Sequence, residues 1–422
     1  MLIEIDKSLI EDIKIKKDKP EYKDIIELLD ELAESYRKNK HIIIADIDVL
    51  EYLGSLTDLS PKSRSIYNLL CDHVHTDYYS LKKQLKIFIK IVGNNTSDNL
   101  KVTSGNQEIL NFPIEFIKKF KEFRKTLLIT EDIEDSRFYI SLTQKYIDYK
   151  KINDIDLAFD KNNGGGNNTY KSVEDEINER FILCILDSDK KYKNDKIGQT
   201  ARNVKRFIDK DKPNSLGIYI KDMTGIYILD VREKENLIPP SFYKLCSNGN
   251  NKDLLQILSK LEITKESCNN CTLCEELLKY GDLKDGTKLQ NYLKIDDAKK
   301  IFNCHPQLKN NDIQPILECS CNKDYSDDDL KKIVIPGIGE SCTKYFENDI
   351  LKNGLVNQIE SKKEVFKNNP NQGLKERIQK LEQNYQISQN LFDKIPEYIQ
   401  NDLIQLCDII LAWGCSTKFR AI

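Results

Sequence analysis

From about residue 123 the chain alternates short apolar runs with helical segments, and this alternation restricts the fold more than any other feature. KTLLIT (125–130), IDLAF (155–159) and FILCILD (181–187) have the length and β-branched content of buried strands. EDSRFYISLTQKYIDYK, TYKSVEDEINER and IGQTARNVKRFI carry apolar residues at helical spacing. SLGIYI (215–220) and GIYILDV (225–231) read as further short strands. Strands joined through helices build βαβ units, so the expected fold is α/β, a mostly parallel sheet flanked by helices. Binding groups in such a sheet gather at the carboxyl ends of its strands.

On either side the pattern changes. Residues 1–122 read as a mainly helical N-terminal region, with apolar helical spacing in IIELLDELAESY, VLEYLGSL and SLKKQLKIFIKIV. Asp46 is placed to cap a helix beginning in ADIDVLEYL. After residue 246 strands stop, and a cysteine-rich stretch leads into a helical tail. The expected organisation is 1–122 helical, 123–245 α/β and 246–422 cysteine-containing and helical. A net charge of −3 over 422 residues produces no whole-protein attraction to nucleic acid, so any such surface is a local patch. No apolar run reaches the roughly 20 residues of a membrane helix, and MLIEIDKSLIEDIKIKK does not resemble a signal peptide. A cytoplasmic protein without a membrane partner is expected.

The apolar strands end in acids. LLITEDIED puts Glu131 at the end of the first strand and Asp135 one helical turn later. FILCILDSD ends in Asp187 and Asp189, which point to one side of an extended chain. ILDVREKEN adds Asp230, Glu233 and Glu235. Acids gathered on one sheet edge repel each other unless a cation joins them. Mg²⁺ or Mn²⁺ prefers oxygen ligands and keeps waters for exchange with phosphate, and such a centre suits phosphodiester hydrolysis. The bland reading is that these acids only end strands and start helices, where the helix dipole favours them. KKYKNDKIGQTARNVKR follows the pair, and its Lys191, Lys196 and Lys205 are candidates for holding phosphates, or else a solvated face.

These residues resemble the Toprim domain of topoisomerases, bacterial primases and overcoming-lysogenization-defect nucleases. EDIED (131–135) is similar to its opening acidic motif, LDSD carries its DxD, and REKEN followed by LIPP resembles an element of Toprim nucleases from bacterial defence systems. The resemblance spans roughly 123–245, with Asp132 standing where many members have Gly. It implies metal ligation by Glu131, Asp187 and Asp189, with Glu131 also handling a proton, and further ligands at Asp135, Glu233 and Glu235. It also implies a Mg²⁺- or Mn²⁺-dependent nuclease acting on DNA or RNA in anti-phage defence. Since the chain has no GxxxxGK[ST] loop, a P-loop ATPase partner would be supplied in trans.

Cys268, Cys271, Cys274, Cys304, Cys319, Cys321 and Cys342 fall in one 75-residue window. The CxxC spacings at 268–274 and the CxC at 319–321 offer Cys268, Cys271, Cys274, Cys319 and Cys321 as ligands of a structural Zn²⁺. The competing reading is free thiols acting as small apolar residues. A second functional reading follows: a non-catalytic interaction protein with a degenerate Toprim core and a zinc-stabilised binding module. His41, His73, His75 and His305 are too scattered for a histidine centre.

Overall fold

The computed structural model describes residues 1–422 except 74–77, 95–100, 118–122, 178, 211–222, 247–254, 256–257, 260–261, 263–271, 295–324, 336, 340, 353 and 419–422. The chain divides into two compact units. Met1–Leu186, Arg202–Tyr227 and Gln405–Ile422 form the first, and Asp187–Ala201 with Ile228–Ile404 the second.

The first unit is mixed α/β and contains two parallel-rich sheets. Strands β1 (Leu2–Ile5), β2 (Ile42–Ala45), β3 (Ile87–Val92), β4 (Lys101–Ser104) and β5 (Gln107–Pro113) form a five-stranded sheet in the order β2-β1-β3-β5-β4. β1 runs parallel to β2 and β3, and β3 to β5; only the β4–β5 hairpin is antiparallel. Helices α1 (Ser8–Lys16), α2 (Glu21–Arg37), α3 (Ile47–Ser55), α4 (Pro61–His73), α5 (Tyr78–Gln84) and α6 (Ile114–Ile117) connect and follow these strands. The mainly helical reading of residues 1–122 is therefore corrected. LIEI and IIIA are fully buried strands, and the run 80–92 divides into the end of α5 and β3. A short apolar run fits a buried strand or a helix equally well by periodicity; in a parallel sheet both strand faces are covered. Asp46 does stand at the N-cap of α3, without a capping side-chain bond.

The second sheet is that expected from 123 onward. β6 (Thr126–Thr130), β7 (Ile155–Leu157), β8 (Phe159–Asn163), β9 (Ile182–Leu186) and β10 (Thr224–Ile228) follow in sequence. Four of them align as β10-β9-β6-β8, with β6 parallel to both β8 and β9. β6 and β9 are buried at all five positions, as a central parallel strand requires. α7 (Ile133–Tyr149) and α8 (Thr169–Glu176) pack on β6, and α9 (Gln199–Asp209) buries Ala201, Val204 and Ile208. IDLAF breaks at Ala158. β7 turns away to pair antiparallel with Cys415–Thr417, while β8 runs on through Asp160–Asn163, which the composition marks as loop. β8 is an edge strand with exposed positions, where polar side chains are tolerated and discourage further pairing. SLGIYI lies outside the described residues.

The second unit is largely helical. It holds α10 (Pro240–Cys246), helices Thr272–Tyr280, Ser341–Phe346, Leu355–Asn368 and Gln372–Gln389, and a two-stranded ladder of Thr287–Lys288 with Ile333–Ile335. Among the described residues no helix is long and apolar enough to cross a membrane.

Candidate active site

Register fixes where the first glutamate lies. β6 pairs with β9 as Leu127↔Ile182, Leu128↔Leu183 and Ile129↔Cys184. Continued, this register sets Glu131 level with Leu186, the residue before Asp187. Glu131 is thus the residue after β6, and Asp187 the residue after the parallel neighbouring strand β9. The turn at Glu131 is tied down locally. Thr130 Oγ1 bonds Asp132 O at 2.5 Å and Ser136 Oγ at 2.7 Å. Asp132 then caps α7, accepting from Glu134 N at 2.9 Å, while Asp135 Oδ2 accepts from Asp132 N at 3.1 Å. Asp132 is extended, with φ −125°, so this turn does not require glycine. Asp135 completes a capping box, which accounts for one of its oxygens without a metal. Glu131 Oε1 is shut off from solvent. Cys184 is fully buried, and burial, then the charge of Glu131, push its thiol far above its ordinary range, as for a structural thiol.

The aspartate pair sits in a clamped turn of the second unit. Ser188 is fully buried, Asp187 half-buried and Asp189 exposed. Ser188 Oγ donates to Val231 O at 2.6 Å, Asp189 N donates to Arg232 O at 2.9 Å, and Gly198 N donates to Ser188 O at 2.7 Å. Asp189 adopts a left-handed backbone with φ +53°, a conformation that Asp tolerates better than most residues. Its carboxylate lies over Gly198: a Cβ there would sit 1.9 Å from Asp189 Oδ2. Among the described residues that carboxylate has no ion-pair partner.

These bonds attach the DSD turn to the VREKEN segment. Arg232 Nη2 bonds Asp282 Oδ2 at 2.6 Å, whereas Arg232 Nε stands 3.8 Å from Glu233 Oε1. Both of the latter atoms are buried and make no hydrogen bond. Burial, followed by the neighbouring Glu235, pushes the Glu233 carboxyl up to about 7. Glu235 is buried in the short helical turn Lys234–Leu237, pinned by Asn236 Nδ2 donating to Leu278 O at 2.8 Å and Gly281 O at 3.0 Å.

This donor set is carboxylate only, so it fits a hard cation and not zinc. Among the described residues, however, no three His, Cys, Asp or Glu side chains converge closely enough to enclose a metal. The fit is therefore to Mg²⁺ or Mn²⁺ held by one or two carboxylates and otherwise by water and substrate oxygens. Lys191 and Lys196 are exposed, their backbone N–H groups bonding the Asp195 carboxylate at 3.2 and 2.9 Å. Lys205 is exposed on α9. Cys268, Cys271, Cys319 and Cys321 lie outside the described residues, as do Cys304, His75 and His305. So does the side chain of Cys274, in helix Thr272–Tyr280.

A second acidic edge was not anticipated from the sequence, although the signal is the same one: LIEID and IIIAD are apolar strands ending in aspartate. The register of β1 and β2 sets Asp6 level with Asp46. Here the charges are already met. Lys90 Nζ lies 2.6 Å from Asp6 Oδ2, Lys82 Nζ 2.8 Å from Glu4 Oε1, and Tyr79 OH donates to Asp46 at 3.0 Å. Burial would raise the Asp6 carboxyl, but the bonds from Lys90 and Ser8 outweigh it and hold the group below its usual range. An edge neutralised by its own lysines has little call for a cation.

No protein-family model, curated protein or solved structure matches the chain.

Proposed function

We propose that this chain is a Toprim-type, divalent-cation-dependent nuclease that hydrolyses phosphodiester bonds of DNA or RNA in the cytoplasm. The observation supporting it is the pairing of β6 with β9, whose next residues are Glu131 and Asp187. A hard cation held by one or two of Glu131, Asp187 and Asp189, and otherwise by water and substrate oxygens, would supply Lewis-acid polarisation of the scissile phosphate. The chain's own residues do the rest. The Ser188 and Gly198 bonds tie down the turn that carries the aspartate pair, and Glu131, whose Oε1 is shielded from solvent, would accept a proton. Lys191 and Lys196 offer charge to the flanking phosphates. The resemblance of EDIED, LDSD and REKEN to defence nucleases supports nucleic acid as substrate, anti-phage defence as the setting and a separate P-loop ATPase as partner.

The test is a cleavage assay on duplex DNA, single-stranded DNA and tRNA with Mg²⁺, Mn²⁺ or chelator. Metal-dependent cleavage should fall more than about 100-fold in folded Glu131→Ala and Asp187→Ala. The cysteine spacings at 268–274 and 319–321 support a second reading, a non-catalytic interaction protein with a zinc-stabilised module. That reading prevails if nothing is cut, the variants bind Mn²⁺ like wild type, and the purified protein carries stoichiometric zinc.

A further inference from the structure

A polar groove of about 1060 Å³ opens within the second unit. Its walls are α10, helix Leu355–Asn368, helix Gln372–Gln389 and the π-helical turn Glu347–Leu351 that continues Ser341–Phe346. π-helical turns are uncommon and often mark functional sites. Arg377, Lys380 and Asn384 recur at helical spacing, so one face of helix Gln372–Gln389 lines the groove.

The lining is predominantly cationic. Lys244, Lys362, Arg377 and Lys380 face Asp349 and Glu376. Lys362 and Arg377 have no ion-pair or hydrogen-bond partner among the described residues. Glu376 Oε1 is engaged by Gln372 Nε2 at 2.9 Å, and burial pushes the Asp349 carboxyl upward, weakening its charge. The occupant is therefore an anion. At the base of the groove Asn384 is only 1% exposed, and neither Nδ2 nor Oδ1 has a hydrogen-bond partner. A buried amide left without partners is costly, and one that lines a groove asks for an occupant with both donors and acceptors. Phosphate oxygens only accept, whereas a nucleobase edge does both. Tyr345, 37% exposed in the same lining, offers a ring for stacking.

We propose that this groove binds a single-stranded nucleic acid, with Lys362, Arg377 and Lys380 on the phosphates and Asn384 beneath a base. The inference deepens the nuclease reading, and rests on it only for the choice of polymer. It adds a holding site in the second unit built from residues outside the carboxylate edge.

The test is equilibrium binding of fluorescein-labelled dT20 and U20 to the full chain in chelator, so that cleavage plays no part. The triple variant Lys362→Ala/Arg377→Ala/Lys380→Ala should bind at least about tenfold more weakly, with a log K against log salt slope flatter by about 2. Glu376→Lys, which removes an acid from the rim, should bind more tightly than wild type. Glu131→Ala should bind as wild type does, whatever its cleavage activity. The inference is overturned if wild type binds neither oligomer, if the triple variant keeps wild-type affinity and slope, or if Glu376→Lys binds no more tightly. It is also overturned if polyglutamate of equal charge competes as well as dT20, because the groove is then a general anion surface. Loss of cleavage in Glu131→Ala with binding intact separates this outcome from failure of the carboxylate site.

Discussion

Two residues show how local chemistry constrains this chain. Gly198 accommodates the Asp189 carboxylate where any Cβ would lie 1.9 Å from its Oδ2. Gly198→Ala must therefore displace Asp189. Under the proposed function it should cut metal-dependent cleavage at least about tenfold while leaving the melting temperature within a few degrees. Wild-type activity in Gly198→Ala would show that Asp189 does not act from this turn. His41 is a structural case. Its ring is fully buried before β2, stands edge-on to Phe123 at 6.3 Å, and bonds Arg124 O through Nε2 at 2.8 Å. Burial lowers its pKa well below the usual 6.5. The fold thus holds His41 neutral while the unfolded chain readily protonates it. Its contribution is complete above about pH 6.5 and is lost as pH falls below that value, by up to about 1.4 kcal/mol per pH unit. Urea unfolding at pH 7.5 and 5.5 should show a steeper loss in wild type than in His41→Gln. Equal losses would mean that the imidazole is not the titrating group.

At the scale of elements, α7 shows how a strand end is shaped into a site. Asp132 accepts from Glu134 N and Asp135 accepts from Asp132 N, so the helix start holds the residue after Glu131 in place. Asp132→Ala should destabilise the first unit by about 1 kcal/mol, measured by urea unfolding. An unchanged midpoint would show the cap to be dispensable. This turn was legible in the sequence, since a strand, an acidic cluster and a helical period occur in immediate succession. β6, β9, α7, α8 and α9 were legible for the same reason. The first sheet was not. MLIEI and HIIIA carry too few residues for a period to develop, and KIFIKIV follows a helix without a break, so only pairing across the sheet settles that they are strands. The tie between DSD and VREKEN was also hidden, because α9 and β10 intervene in the sequence between Asp189 N and Arg232 O. The groove lysines were hidden for another reason: in the sequence they are ordinary exposed charges, and helix packing alone brings them together.

Across the whole molecule, neither unit is a continuous stretch of chain. The first unit is completed by residues from the far end, and much of its support comes from them. Cys415–Thr417 pairs with β7, Gly414 O accepts from Ala158 N at 2.8 Å, and Ser416 Oγ donates to Asn39 O at 2.6 Å. Trp413, the only tryptophan in the chain, packs on Gly225, where a Cβ would lie 2.7 Å from the indole. Leu406, Cys407, Ile410 and Leu411 are buried with it. Removing residues 405–422 would strip this apolar surface from the core and leave β7 without its partner strand. A chain ending at residue 404 should lose the cooperative thermal transition by circular dichroism, because burying a single large side chain already contributes roughly 2 kcal/mol and total stabilities are only about 5–15 kcal/mol. Adding a 405–422 peptide in trans should restore part of the transition, and Trp413 fluorescence on that peptide would then move to shorter wavelength as the indole is buried. A truncated chain that melts like the full one would mean that the two sheets hold without their C-terminal helix, and that segment would need another role.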